Sequence, residues 1–71
     1  MESKQKIGII CDSYKTEMFK EELAKADIEI VSISPLMKGV DTITVFSYQR
    51  LVKPITDKVT QYFIDLYKKQ N

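Results

Sequence analysis

The apolar residues near the amino terminus form a short unbroken run and then change to a helical spacing. Residues 7–11, with the sequence Ile-Gly-Ile-Ile-Cys, carry no charge, which is typical of a strand buried on both faces. Over about residues 14–26 apolar side chains return every three or four positions, which predicts an amphipathic helix. Asp12 and Ser13 are candidate N-cap residues for this helix, and Asp27 is a candidate stop.

The middle of the chain predicts two strands joined by a turn. Residues 28–34 are rich in Ile and Val, but their alternation slips, so either both faces are buried or a bulge lies there. Residues 35–39 begin with proline and end with glycine, which indicates a turn. Residues 41–48 alternate as a strand. Their side chains separate into two faces, with Ile43 and Val45 on one and Thr42, Thr44, Phe46 and Tyr48 on the other.

The last part of the chain predicts a long helix that ends near Lys69. Its apolar stripe recurs in steps of three and four and consists of Val52, Ile55, Val59, Tyr62, Phe63 and Leu66. Because proline has no backbone N–H, Pro54 should lie in the first turn. The helix is therefore expected to start near Val52 or Lys53, with residues 49–51 as a turn.

The element order β-α-β-β-α predicts an α+β fold. A right-handed crossover followed by a hairpin gives a three-stranded sheet of order 1-3-2 with both helices on one face, a two-layer sandwich. This is a ferredoxin-like split unit that lacks its last strand. The alternative, less favoured, places the first two strands side by side in parallel. We expect one domain over residues 1–71, with flexible ends at about 1–5 and 70–71.

The missing strand would leave the first strand with a free edge. Residues 7–11 contain no charge and no proline, whereas natural edge strands are usually blunted by such residues. We therefore expect a homodimer, in which the same strand of a second copy completes a six-stranded sheet, or a protein that adds its edge to the sheet of another protein. The candidate interface consists of Ile7, Ile9, Cys11, Thr44, Phe46 and Tyr48.

Composition excludes several function classes. The 71 residues include one Cys and no His, which argues against an internal disulfide and most zinc, haem and iron–sulfur sites, so no cofactor is expected. The 11 basic and 10 acidic residues give a net charge of +1, which supplies no general attraction to nucleic acid or membranes. An unpaired Cys and the absence of an apolar signal segment favour the cytoplasm.

Candidate chemistry is sparse. Cys11 precedes a helix, where a thiol can be activated, but the loop after it offers neither Gly nor Arg to hold phosphate, which favours a buried structural Cys. Asp12 could act as a base, but an N-cap is the favoured interpretation. We therefore predict no catalytic residue. A candidate polar or ligand-binding surface consists of Asp12, Ser13, Tyr14, Lys15 and Arg50.

A nucleic-acid interface is a second possibility. Phe46 and Tyr48 on an exposed sheet face would resemble the aromatic residues with which RNA-binding sheets stack bases, and the second helix is mildly basic. The third strand lacks interleaved Lys or Arg, so burial under a second subunit is favoured. Capture of a small anionic ligand at a dimer seam is a further alternative.

The segment from Lys6 to Lys15, of sequence KIGIICDSYK, together with Phe19-Lys20 and Glu22-Leu23, resembles a group of short proteins from bacterial viruses and prophages. The resemblance covers about the first third of the chain. It implies a small, often dimeric protein that binds and blocks a host or defence component. A non-enzymatic binding protein is therefore the first functional hypothesis, ahead of the nucleic-acid and enzyme alternatives.

Overall fold

The computed structural model describes residues 3–69. Strand β1 spans Gln5–Asp12, and a 3₁₀ turn, Ser13–Lys15, leads into helix α1, Thr16–Lys25. Strand β2 spans Glu29–Met37, strand β3 spans Val40–Ser47, and helix α2 spans Gln49–Lys69. Residues 1, 2, 70 and 71, part of the expected flexible ends, lie outside the described residues, whereas Gln5 already belongs to β1.

The three strands form one sheet of order β1-β3-β2, and both pairings are antiparallel. The predicted α+β architecture and strand order are therefore confirmed, and the arrangement with the first two strands adjacent is excluded. Because β3 runs opposite to both neighbours, β1 and β2 are parallel to each other on its two sides. The start of β1 consequently lies at the same end of the sheet as the end of β3, where Gln5 pairs with Ser47.

The core lies between the helices and one face of the sheet. Alternate residues of β1 and β3 point toward the helices, as their burial shows. The buried apolar set contains Ile9, Cys11, Phe19, Leu23, Ile28, Ile43, Val45, Val52, Ile55 and Val59. Ile43 and Val45 are fully buried, which confirms the predicted inner face of the third strand. The opposite face of the sheet has no helix packed on it in the described part of the chain.

Helix α1 ends in a left-handed residue. The Ile28 amide donates to the Leu23 carbonyl at 3.0 Å and the Asp27 amide donates to the Ala24 carbonyl at 3.0 Å, which together form a Schellman motif. Asp27 has a φ of 59°, a conformation that glycine adopts most easily. The prediction that Asp27 stops the helix is therefore confirmed.

The β2–β3 hairpin turns later than the sequence predicts. The turn is formed by residues 38 and 39 alone, and β2 continues through Pro35 to Met37. Gly39 has a φ of 81°, so this residue supplies the left-handed turn position. Pro35 is tolerated because β2 is an edge strand and its register shifts next to Pro35. The predicted turn over residues 35–39 is therefore wrong in its first half.

Helix α2 also starts earlier than predicted. The amides of Leu51 and Val52 donate to the Tyr48 carbonyl at 3.0 and 3.3 Å, so the helix begins at Gln49 and not near Val52. Pro54 lies inside the helix rather than in its first turn. Proline inside a helix carries a local cost, and Pro54 lies on the exposed side of α2.

The apolar stripe of α2 extends beyond the sheet. Val52, Ile55 and Val59 are buried in the core and Phe63 is half-buried, but Tyr62 and Leu66 are exposed. A helix of 21 residues is about 32 Å long, whereas eight strand residues span about 27 Å. The end of α2 therefore passes the end of the sheet that would otherwise cover its stripe.

An ion pair ties the two helices together. Lys58 of α2 donates to Glu22 of α1 at 2.8 Å, and Lys25 donates to the same carboxylate at 3.3 Å. The hydrogen bond from Lys58 is the main reason that the pKa of Glu22 lies below its usual value. Neither helix within residues 3–69 is long and apolar enough to cross a membrane.

Candidate interaction site

Strand β1 is an edge strand whose outer side has no partner strand within residues 3–69. All of its residues from Gln5 to Asp12 pair with β3 without a register shift. In an extended strand, alternate residues direct their N–H and C=O groups to opposite sides, so about half of β1 presents these groups to the open edge. The strand is therefore a long, regular template for another strand.

The edge is better defended at its ends than the sequence run suggests. β1 is longer than the predicted residues 7–11, and it includes Lys6 near its start and Asp12 at its end. Both charged side chains are exposed on the face opposite the helices. The centre of the edge carries no charge, proline or bulge, so only its two ends are charged.

The first three predicted interface residues lie mainly in the core. Ile9 and Cys11 are buried toward the helices, and Ile7 is half-buried on the same face. The side chains of Ile9 and Cys11 are therefore not available at a surface, although the backbones of all three residues line the edge. The exposed apolar side chain of β1 is Ile10, which is 66% exposed on the other face. The unbroken apolar run does not show which side chain faces outward. Strict alternation along the strand would have placed Ile10 on the exposed face.

The outer face of β3 carries two of the three other predicted residues. Thr44 is half-buried there, and Phe46 is 41% exposed, with Lys6 as its partner on β1 and Glu29 as its partner on β2. Tyr48 was expected on this face, but the strand ends at Ser47. Tyr48 instead lies between β3 and α2, where its carbonyl accepts the first helical hydrogen bonds.

The predicted polar surface is only partly assembled. Asp12 and Lys15 form an ion pair at 3.7 Å, and the Lys15 ammonium lies 5.6 Å from the ring centre of Tyr14 and 5.8 Å from that of Phe63. The Ser13 amide donates to the Gly39 carbonyl at 2.9 Å, which ties this corner to the hairpin. These residues form one cluster at the end of β1.

Arg50 does not belong to that cluster. It lies in the first turn of α2, directly after β3, and its guanidinium carbon is 5.1 Å from the ring centre of Tyr48. Because β1 and β3 are antiparallel, the end of β3 lies at the opposite end of the sheet from Asp12. The predicted grouping of Arg50 with Asp12 is therefore wrong.

The expected cap at Asp12 is also absent. The Asp12 side chain forms no capping hydrogen bond, and its carboxylate faces Lys15 instead. The 3₁₀ turn that follows Asp12 displaces the start of α1 to Thr16, beyond the reach of an N-cap at that position. Tyr14, a member of the predicted polar surface, is 67% exposed and meets Phe63 edge-on, with 5.2 Å between ring centres.

Cys11 lies beside a partly buried polar pair, Thr16 and Asp41, that the sequence pattern does not predict. The Thr16 hydroxyl donates to Asp41 Oδ2 at 2.9 Å, and its oxygen lies 3.8 Å from the Cys11 sulfur. Burial raises the pKa of the Cys11 thiol above its usual value. A thiol kept neutral in this way is a weak nucleophile, so the geometry matches the predicted structural Cys. The sequence offered no signal that Thr16 and Asp41 would meet.

A shallow groove runs beside this end of β1. Its volume is about 330 Å³, and it is lined by β1, by the start of α1 and by Thr56 and Thr60 of α2. The groove shows that α2 leaves space next to the free edge of β1. Within residues 3–69 no group of three or more His, Cys, Asp or Glu side chains is placed to hold a metal ion.

The fold and the site define a small α+β protein with a three-stranded antiparallel sheet and one regular, open edge strand. No protein-family model, curated protein or solved structure matches this chain. Its function therefore has to be inferred from its own geometry and charges.

Proposed function

We propose that this protein is a binding module that acts by strand addition at β1, and that its first partner is a second copy of the same chain. Two copies related by a two-fold axis would place their β1 strands antiparallel and form a six-stranded sheet. The single observation that carries this proposal is the regular, unbroken ladder of β1, which leaves a row of backbone groups on its outer side.

The exposed surface supports the same proposal. The structure exposes 5210 Å², whereas a compact monomer of this mass would expose roughly 4,600 Å². The excess of about 600 Å² is spread over the chain and includes the exposed end of α2. Apolar side chains near β1 contribute to it, among them Ile10 at 66% and Tyr14 at 67% exposure.

The homodimer, or the monomer through its β1 edge, would act on another protein. The resemblance of residues 6–23 to short phage and prophage proteins makes a host or defence protein the proposed target, with inhibition as the outcome. This part of the proposal is tested by affinity capture from a bacterial lysate, with wild type and an edge variant as matched baits. A target that binds the edge is retained by wild type and lost with the edge variant.

Nucleic acid is the second candidate ligand. In its favour, Lys6 is the cross-strand neighbour of the exposed Phe46, which places a cation beside an aromatic ring. Against it, Tyr48 is not on the strand, and Lys53 and Lys58 of α2 are paired with Asp57 and Glu22. Salt-dependent binding of single-stranded DNA would favour this candidate, and no binding at low salt would remove it.

The experiment that tests strand addition compares two substitutions of matched exposure. Ile10→Lys changes a 66% exposed side chain on β1, and Met37→Lys changes a 62% exposed side chain on β2, the other edge. Light scattering should give wild type and Met37→Lys twice the 8.3 kDa monomer mass at micromolar concentration. Ile10→Lys should dissociate at least tenfold more readily, since lysine on an edge strand opposes pairing.

The circular dichroism spectrum of each variant should be unchanged, because both side chains are exposed. If wild type stays monomeric at a concentration on the order of 100 μM, the proposal that its partner is a second copy is overturned. A dimer that Met37→Lys dissociates and Ile10→Lys does not would place the interface on β2 instead.

A further inference from the structure

The residues of β1 complement one another in a particular antiparallel register. A two-fold axis perpendicular to the sheet keeps the helices of both copies on one side, so outer-face residues must lie opposite outer-face residues. The outer face of β1 carries Lys6, Gly8, Ile10 and Asp12, all exposed. Only registers in which two even-numbered or two odd-numbered positions face each other are therefore allowed.

We propose that two β1 strands pair in the register centred on Ile9, so that Lys6 of each copy lies opposite Asp12 of the other. This inference rests on the proposed strand addition and specifies its partner surface. Directly opposed side chains lie about 5 Å apart at their Cβ atoms, within reach of an ion pair between Lys and Asp. The two-fold axis repeats this pair, so the interface contains it twice.

The same register also matches side-chain size. Gly8 of each copy lies opposite Ile10 of the other, so an exposed branched side chain can cover backbone that has no side chain of its own. Ile7 meets Cys11 on the helix face, and Ile9 meets its own equivalent. Charged and apolar positions are thus both satisfied by one alignment.

The neighbouring registers lack this match. Centring on Gly8 places Lys6 opposite Ile10, and centring on Ile10 places Gly8 opposite Asp12. In the Gly8 register seven residues of β1 are paired, as in the register centred on Ile9, but Lys6 loses its counter-charge and Asp12 faces Lys4, which lies outside the strand. In the Ile10 register Asp12 faces backbone alone and five residues of β1 are paired. Of the two registers that pair seven residues of β1, the one centred on Ile9 is therefore the one that opposes Lys6 and Asp12 within the strand.

Both charges are available for such a pair. Lys6 forms no ion pair within 4.0 Å in the described part of the chain, and its neighbour on β3 is the ring of Phe46. Asp12 uses Oδ2 to meet Lys15 at 3.7 Å, which is a long contact on an exposed group. Its other carboxylate oxygen can accept from a second cation.

Charge variants test this register directly. Lys6→Glu and Asp12→Lys each turn both interface pairs into like-charge pairs, and each should weaken the homodimer on the order of tenfold. An equal mixture of the two variants restores opposite charges at both pairs, so a heterodimer should form with an affinity within about threefold of wild type. Native mass spectrometry resolves the three species.

Lys4→Glu is the matched control, because it makes the same charge change just outside β1 and should leave dimerisation unchanged. Thermal unfolding of each monomer shows whether a variant still folds. If wild type is monomeric, strand addition itself fails. A different outcome is a wild-type dimer that Ile10→Lys dissociates, with no preference for the heterodimer in the variant mixture. In that case the proposed register is wrong, but pairing through the β1 edge is supported.

Discussion

The two edges of this sheet are built in opposite ways. β1 pairs with β3 without interruption, whereas the register between β2 and β3 shifts twice, between Ile30 and Ser32 and between Pro35 and Met37. A proline and two irregularities are the devices that natural proteins use to prevent an edge from pairing. β2 is therefore a defended edge, and β1 is an edge that remains suited to pairing.

The difference extends to how deeply each strand is packed. Ile9 of β1 and Ile33 of β2 are the two cross-strand neighbours of the fully buried Ile43. Ile9 is 6% exposed, whereas Ile33 is 38% exposed on the same side of the sheet. The strand that offers its backbone to a partner is thus the more firmly anchored of the two. Such anchoring would keep the edge in the extended shape that pairing requires.

The largest expected effect comes from truncating these two neighbours of Ile43. Ile9→Ala should lower the free energy of unfolding by about 3 kcal/mol, because it leaves a cavity in the core. Ile33→Ala should cost about 1 kcal/mol, since its side chain is partly solvated already. Urea unfolding, at protein concentrations too low for the dimer to form, measures the loss of unfolding free energy in both variants. Equal losses would mean that β2 is packed as tightly as β1 and would remove the contrast.

If Ile9→Ala does not fold, smaller substitutions at the same two positions compare the packing of β1 and β2. Ile9→Val should cost about 1 kcal/mol, and Ile33→Val should cost less than about 0.5 kcal/mol. Both substitutions remove one methyl group and keep branching at Cβ, so strand preference is unchanged.

Much of the fold was predictable because periodicity reports burial. The alternation of Ile43 and Val45, and the stripe of Val52, Ile55 and Val59, identified core positions that the structure confirms. Burying both patterns on one face of the sheet leaves few topologies, and pairing the third strand with both others gives the order observed.

The errors arose where tertiary contacts decide local structure. The sequence predicts a turn at Pro35 and a helix start at Pro54, but an edge strand and a half-exposed helix can each tolerate a missing N–H. Asp12 was expected to cap α1, which a 3₁₀ turn prevents. Arg50 was grouped with Asp12 although the antiparallel pairing separates them. No local pattern contains this information, because each outcome depends on partners distant in sequence.

An intermediate effect is expected at the turns that bound β2. Gly39→Ala should destabilise by about 1 kcal/mol, because Gly39 has a φ of 81°. Asp27→Gly should stabilise by about 0.5–1 kcal/mol, since it relieves a left-handed residue and removes an acid from the carboxyl end of α1.

Gly8 of β1 is compared with Gly39, because the same substitution to alanine can be made at both positions. A Cβ at Gly8 would lie 3.8 Å from Thr42 Cγ2, an ordinary contact, so Gly8→Ala should leave monomer stability unchanged or raise it by about 0.5 kcal/mol. Chemical denaturation measures all three variants. A loss at Gly8 as large as that at Gly39 would show that β1 depends on special backbone geometry, contrary to its regular ladder.

The smallest effect is a pH dependence that reports on β1. Because burial raises the pKa of Cys11, the folded chain keeps the thiol proton at a pH where the unfolded chain releases it. This contribution to stability is complete below about pH 9 and is lost as the pH rises through the folded pKa.

The difference in unfolding free energy between wild type and Cys11→Ser should thus be constant from pH 7 to 8 and narrow above pH 9. It should be measured at one ionic strength throughout. A difference that stays constant to about pH 10.5 would mean that the thiol is hydrated at the edge. The burial of Cys11 at the end of β1 would then not extend to its thiol.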